Sequence, residues 1–221
     1  MKVSYRFVVI AAVFVTCLIT ANIIAVKVIG SGDFFLPAAI IVFPLSYIFG
    51  DILTEVYGYR QARRVIWLGF ACNLIFVFFA WIGQHLPAAP FWGSQAAYES
   101  ILGYAPRLLA ASLCGYLVGE FANSFVLARM KVMTQGRWLW SRTIGSTIIG
   151  QGLDTALFII IAYVGTPSFM PIMILYHWLV KTGIEAAATP LTYTAVNWLK
   201  KKDEVDVYDH KTNFNPFSVS N

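Results

Sequence analysis

The stretch that decides the fold is Pro44–Arg64, P-L-S-Y-I-F-G-D-I-L-T-E-V-Y-G-Y-R-Q-A-R-R. It starts inside an apolar segment and carries two carboxylates, Asp51 and Glu55, into it. Four residues apart, they share a face if the stretch is helical, with Tyr47 one turn earlier. At Gly58 the stretch breaks into a basic run, Arg60, Arg63 and Arg64. A soluble surface helix could hold such a pair of acids at little cost, so the reading turns on what surrounds it.

The surroundings are apolar. The 221 residues are 58% hydrophobic and 12% charged, with a mean hydropathy of +0.68, whereas a soluble domain is about 45–50% apolar and about 25% charged. Windows of the roughly 20 apolar residues that cross a bilayer recur along almost the whole chain. Six spans are expected, over Phe7–Ile29, Leu36–Tyr57, Ala62–Gly83, Arg107–Met130, Trp138–Val164 and Met170–Leu199. A longer connection, Gln84–Ala105, rich in Pro, Gly, Trp and Tyr, separates the third from the fourth. The expected architecture is an all-α integral membrane protein, with a transmembrane domain over 1–199 and a polar, extended tail over 200–221. The first segment has the basic start of a signal peptide, but it is long, lacks a small-residue cleavage site and is followed by more spans, so it is expected to remain as a helix.

Charge sets the orientation. The net charge is +5, but the basic residues stand at the ends of apolar segments and form no single face for a nucleic acid. Lys2 and Arg6 precede the first span, Arg60, Arg63 and Arg64 follow the second, Arg129, Lys131, Arg137 and Arg142 flank the fourth connection, and Lys200, Lys201 and Lys202 follow the sixth span. The positive-inside rule then puts both termini in the cytoplasm. Cys17, Cys72 and Cys114 lie singly in apolar segments, as small core residues, with neither a disulfide nor a metal site expected. Trp81, Trp92, Trp138, Trp140 and Trp198 fall near span ends, as an interfacial belt does.

The candidate site is the set of polar groups inside the spans. Asp51, Glu120, Asp154 and Glu185 are joined there by Lys181, His177, Gln151 and Asn123. A charge at the bilayer centre costs about 2.5–3.5 kcal/mol on insertion scales, so these groups must face the bundle interior, pair with one another or line a wet cavity. His177, Lys181, Glu185 and Thr189 form one stripe at helical spacing; Thr143, Thr147, Gln151 and Asp154 form another; Glu120 and Asn123 share a face. At about 1.5 Å per residue, Asp51, Glu120, Asp154, Lys181 and Glu185 fall in one layer near the midplane. Glu55 lies nearer the cytoplasm, either within the layer or as an anchor for Arg60, Arg63 and Arg64, and these four are the candidate topology and cytoplasmic-gate residues. Any one of these groups could simply join helices by a hydrogen bond; the set together reads as a ligand or ion cavity. Lys181–Glu185 is the expected ion pair within the layer. Gly115 and Gly119 form a close-packing motif, and Pro44 and Pro190 are candidate kinks. The sequence lacks the phosphate-loop, nucleophile-elbow and zinc-helix motifs, so neither ATP chemistry nor hydrolysis is expected of it, and no cofactor.

Four blocks, in order, carry a family resemblance: F-G-D-I-L-T-E-V-Y-G-Y-R-Q-A-R-R, G-E-F-A-N-S-F-V-L-A-R-M-K, S-R-T-I-G-S-T-I-I-G-Q-G-L-D-T-A-L-F and D-V-Y-D-H-K-T-N-F-N-P-F. Together they resemble the queuosine precursor transporter family, also called the vitamin uptake transporter family. The resemblance implies a prokaryotic inner-membrane importer of 7-cyano-7-deazaguanine and 7-aminomethyl-7-deazaguanine, with six helices arranged similarly to the substrate-binding subunits of energy-coupling-factor transporters. It implies that no ATPase partner is needed; a homodimer is possible. A guanine-like ring presents a ring N–H beside an amino group, which a carboxylate accepts as a fork, a carbonyl that asks for a donor, and flat faces that ask for aromatic partners. Asp51, Glu120, Asp154 and Glu185 are the candidate acceptors, taken in the order Asp154, Glu120, Asp51, Glu185. Asn123, Gln151 and Lys181 are the candidate donors, and Tyr47, Phe158 and Trp178 the candidate walls for its flat faces.

Overall fold

The computed structural model describes residues 4–31, 34–103, 106–167 and 169–218. Lys2, the last two residues of the 84–105 connection and the last three of the tail lie outside the described residues. The elements in order are α1 (Tyr5–Ile24), a hairpin of β1 (Val28–Ser31) and β2 (Phe34–Pro37), a 3-10 turn (Ala38–Ile41), α2 (Phe43–Tyr57), α3 (Tyr59–His85), the short α4 (Gln95–Leu102), α5 (Pro106–Met133), α6 (Leu139–Tyr163) and α7 (Ile172–Asp203). Among the described residues, five segments are long and apolar enough to cross a membrane: Tyr5–Ile24, Ala38–Tyr57, Tyr59–His85, the segment ending at Met133, and Leu139–Tyr163. α7 is the longest described helix, at 32 residues, but Lys181, Glu185 and its lysine-rich end dilute its apolar character.

Two expected span boundaries move. The antiparallel strands pair Val28 with Pro37 and Ser31 with Phe34. They occupy the end of the expected first span and the start of the second. The sequences V-I-G-S and F-F-L-P are apolar, so hydropathy alone continues the helices through them. Pro44 stands in the first turn of α2, where a missing N–H costs nothing, so it starts the helix instead of kinking it. Asp51 therefore lies eight residues past the start of α2 and thirteen past the start of the apolar segment at Ala38, against the expected fifteen. Pro190 does lie inside α7. The 84–105 connection contains α4, whose Tyr98 hydroxyl donates to the Ala80 carbonyl at 3.1 Å.

α2 is the most buried of the helices, with twelve of its fifteen residues buried. It packs against α1, α3, α5 and α7. α5 and α6 make the most extensive pairing, and glycines set its closeness. A Cβ on Gly119 would stand 2.7 Å from Asp154 Cβ and 3.0 Å from the Gly150 carbonyl, and one on Gly150 would stand 2.7 Å from Asn123 Cβ. Gly115 is equally tight, 2.9 Å from Asp154 Oδ1. The expected glycine motif thus brings the polar faces of α5 and α6 into register. On the cysteines the structure corrects the sequence reading in part: Cys17 and Cys72 are half-buried, Cys114 is exposed, and all three are free.

The tail is not extended. α7 continues through Lys200, Lys201 and Lys202 to Asp203, and the chain then folds back over the ends of α2 and α3. Val207 N–H donates to the Val56 carbonyl at 3.2 Å. Asp209, buried, accepts the Tyr59 N–H at 3.1 Å, and the Arg63 guanidinium donates to the carbonyls of Asn213 and Asn215 at 3.1 and 2.8 Å. Trp67 reaches the Pro216 carbonyl at 2.9 Å, and Arg129 lies over the Phe214 ring at 4.6 Å.

Candidate functional site

The polar faces of α2, α5, α6 and α7 meet in one buried layer. α7 turns His177, Lys181, Glu185, Thr189 and Thr192 inward as a single stripe, with Val196 and Leu199 continuing it. α6 does the same with Thr143, Thr147, Gln151 and Asp154. Glu120, Asn123 and Gln151 are 0% exposed, and Tyr47, Asp51, Asp154, Lys181 and Glu185 are also buried. The contacts among them run between helices. Asn123 donates to Asp51 Oδ1 at 2.7 Å. Lys181 donates to Asp154 Oδ2 at 2.8 Å and sits 4.5 Å over the Phe43 ring. Glu185 accepts from Thr147 at 2.5 Å and from Gln151 at 3.4 Å. The Tyr47 hydroxyl abuts Gly119, 2.6 Å from where its Cβ would stand, within electrostatic reach of Glu120, Asp154 and Glu185.

The expected Lys181–Glu185 pair is replaced by Lys181–Asp154. A lysine one turn before a glutamate is the less favourable order on a helix, and Asp154 faces Lys181 directly across the α6–α7 seam. Asp154 is thereby neutralised. Glu120 is the opposite case: both carboxylate oxygens are buried without a hydrogen-bond partner. The Tyr47 hydroxyl, Asn123 Oδ1, Gln151 Oε1 and the Thr155 hydroxyl share that condition.

Two expected walls lie off the layer. Trp178 follows His177, so it is turned about 100° from the stripe; its indole N–H donates to the Ile148 carbonyl at 2.9 Å on a partly exposed face. Phe158 is half-buried beyond Asp154, with its ring edge-on to Tyr163 at 6.3 Å. Phe43, unremarked in the sequence, supplies the aromatic face nearest Lys181.

Glu55 stands apart. Cations from other helices hold it, while Arg63 and Arg64 are engaged elsewhere. Arg142 grips it with two nitrogens, at 2.8 and 3.3 Å, Lys200 reaches it at 2.7 Å and Lys131 at 3.6 Å. Lys131 and Lys200 also share Asp206 of the tail, at 2.5 and 2.9 Å. One carboxylate thus ties α2, α5, α6 and α7 together at the basic end. Arg63 serves the tail, Arg60 is half-buried, and Arg64 is exposed beside Gln61 at 3.4 Å. Sequence spacing could not show this lock, because its members come from four helices and the tail.

A second polar cluster links α1, α3 and α5. Asn22 donates to Asn73 Oδ1 at 2.6 Å and accepts from Ser112 at 3.0 Å, beside a small cavity bordered by Phe43 and Tyr116 that has room for about one water molecule. Among the described residues, no three of His, Cys, Asp and Glu converge as metal ligands.

Residues 37–195 match a family model described as "Putative vitamin uptake transporter". The chain is 30% identical over 151 residues to the "Probable queuosine precursor transporter" of Bacillus subtilis, a match covering 66% of this chain and 65% of the relative. It is 26% identical over 138 residues to the "Queuosine precursor transporter" of Escherichia coli, covering 62% and 58%. The aligned regions thus span less than two thirds of each relative's length. No solved structure matches. The family match takes in α2, α3, α5 and α6 and most of α7, with every helix that contributes to the polar layer, and so the chain, a multi-pass membrane protein by its apolar helices, belongs to the vitamin uptake transporter family.

Proposed function

We propose that the chain imports queuosine precursors, 7-cyano-7-deazaguanine and 7-aminomethyl-7-deazaguanine, across a prokaryotic inner membrane, with α7 as the sixth span and both termini in the cytoplasm. The observation that carries the reading is Glu120: fully buried on the α5 side of the layer, with Oε2 2.9 Å from where a Cβ on Gly50 of α2 would stand, and with neither oxygen hydrogen-bonded. An uncommitted carboxylate in that position is what a ring N–H and its neighbouring amino group require as a fork acceptor. The names of the two relatives support the substrate class. With Asp154 held by Lys181, Glu120 takes first place among the candidate carboxylates.

The test is uptake in a salvage-dependent strain lacking its own importer. Wild type restores queuosine-modified tRNA. Glu120→Gln lowers initial uptake at least tenfold at equal membrane abundance, as expected when a buried polar contact is lost. Uptake by that variant at the wild-type rate would remove Glu120 from the site. The alternative reading is a binding subunit that works with an energy-coupling-factor ATPase; uptake by the purified chain in liposomes without ATP would separate the solitary transporter from it.

A further inference from the structure

Two tiers of contacts hold the helices together at the basic end. The inner tier is the Glu55 lock. Glu55 stands one turn past Asp51 on α2, so anything leaving the polar layer toward this end meets it next. Between the two levels the Thr54 hydroxyl lies 3.1 Å from Ser124 Oγ, and both residues are 0% exposed, which closes the α2–α5 seam there.

The outer tier is the tail, and it is bonded to two sides of that seam. On one side it meets α2 and α3, at the Val56 carbonyl, the Tyr59 N–H and hydroxyl, Arg63 and Trp67. On the other it meets α5 and the end of α7. Lys131 donates to Asp206 at 2.5 Å and to the Val207 carbonyl at 2.7 Å, and Lys200 reaches Asp206 at 2.9 Å. Phe214 sits at the crossing. Its ring lies 4.9 Å from that of Tyr59 at the start of α3 and 5.2 Å from that of Phe125 on α5, with the Arg129 guanidinium over it.

The two tiers share their cations. Lys131 and Lys200 each serve both Glu55 and Asp206. The seated tail thereby holds both lysines where Glu55 needs them. Its own hold is the looser one. The Asp206 side chain is 41% exposed, and much of the attachment is single main-chain bonds at a surface, the kind that opens locally while a core stays folded. The α5–α6 seam is packed at glycine distance and has no such slack. The part of this end able to give is the junction of the α2–α3 pair with α5, which the tail crosses.

We infer that residues 204–217 are a strap across a gate at the basic end. Seated, the strap keeps the Glu55 lock closed beneath the polar layer. Lifted, it frees Lys131 and Lys200 and lets the α2–α3 pair part from α5 along the Thr54–Ser124 seam. Naming that opening as the exit of an imported compound into the cytoplasm rests on the transport reading above; the strap itself is read from the contacts alone.

The test is labelling of Ser124→Cys by an impermeant maleimide in sealed membrane vesicles of either orientation, with Cys17, Cys72 and Cys114 replaced by alanine. With the tail unaltered, the new cysteine is expected to react slowly from the cytoplasmic face. Phe214→Ala and, separately, Asp206→Asn are expected to raise that rate at least threefold and to leave the rate from the outer face unchanged. Equal rates in the three proteins overturn the strap. So does a rise from both faces alike, which is general loosening and not a gate. No substrate is present, so the two readings fail separately: faster labelling beside absent precursor uptake keeps the strap and removes the transport reading, and unchanged labelling beside normal uptake does the reverse. Should Phe214→Ala not assemble, Asp206→Asn, which alters one partly exposed side chain, decides.

Discussion

Lys181 has a carboxylate one turn away on its own helix and another across a helix seam, and it takes the second. The choice has a measurable consequence. Lys181→Met leaves Asp154 buried without its partner and is expected to destabilise the protein by about 3–5 kcal/mol. Lys181→Met combined with Asp154→Asn is expected to lose less than Lys181→Met alone, because the stranded charge is gone; thermal unfolding in detergent measures both, and a double variant at least as damaged as the single would refute the pairing. Gly119 offers a second residue-scale test. A methyl there would stand 2.6 Å from the Tyr47 hydroxyl and 2.7 Å from Asp154 Cβ, so Gly119→Ala is expected to cost about 1–3 kcal/mol by overpacking, with Gly93→Ala, in open space, as the neutral control. At this scale the sequence was informative about which side chains turn inward, because helical spacing fixes a face. It was silent about which of them bond, because partners on different helices carry no fixed spacing. Trp178 shows the limit from the other side: its size and position suggested a wall, while one residue of helical rotation takes it off the layer.

The elements differ in how much of them hydropathy reveals. α1, α3, α5 and α6 are legible as long apolar runs, but the β1–β2 hairpin is as apolar as the helices it joins and was absorbed into two expected spans. The tail was misread for the converse reason. Its polar composition suggested a free end, yet Asp206 and Asp209 find cationic and main-chain donors on the body of the protein. Burial pushes the Asp206 carboxyl up, but the hydrogen bonds and charges of Lys131 and Lys200 outweigh it and hold the group below the ordinary carboxylate range. A carboxyl depressed in the folded state contributes its stabilisation above its unfolded value of about 3.9 and loses it as pH falls through the lower folded value. The tail is therefore expected to stay docked at neutral pH and to loosen only in acid below about pH 4. Asp206→Asn is expected to loosen it at neutral pH. A spin label at Phe217→Cys in a cysteine-free background reports the change, and a label equally immobile in both proteins at pH 7 would discount Asp206 as the clasp.

For the whole molecule, the structure brings together ends that the sequence separates. Arg6 of α1 pairs with Asp203 at the end of α7 at 2.5 Å, and Ser4 and Tyr57 donate to the same carboxylate. The start of the first helix and the end of the last thus lie on the face that also carries the Glu55 lock. Reporter fusions at either terminus are expected to be active only as cytoplasmic reporters, and a cysteine replacing Trp92, in the connection at the opposite face, is expected to react with an impermeant thiol reagent from outside. Activity of the two fusions on opposite sides would contradict the arrangement. The Trp residues expected as a belt are at least 40% exposed at Trp81, Trp92, Trp138, Trp140 and Trp198, as lipid-headgroup contacts would need.

The turn between α2 and α3 consists of one residue, Gly58, with φ +83°. It has no side chain, and the space beside it is filled by Val207, whose Cγ1 lies 2.6 Å from where a Cβ would be. A joint of this kind is pinned from outside. Glycine alone could swing through a wide range of backbone angles; the valine, 149 residues further along the chain, denies it that range while the tail is seated. Withdrawing the pin breaks neither helix, yet it returns to the joint the freedom to change the angle between the helix that carries Asp51 and the helix that carries Arg63.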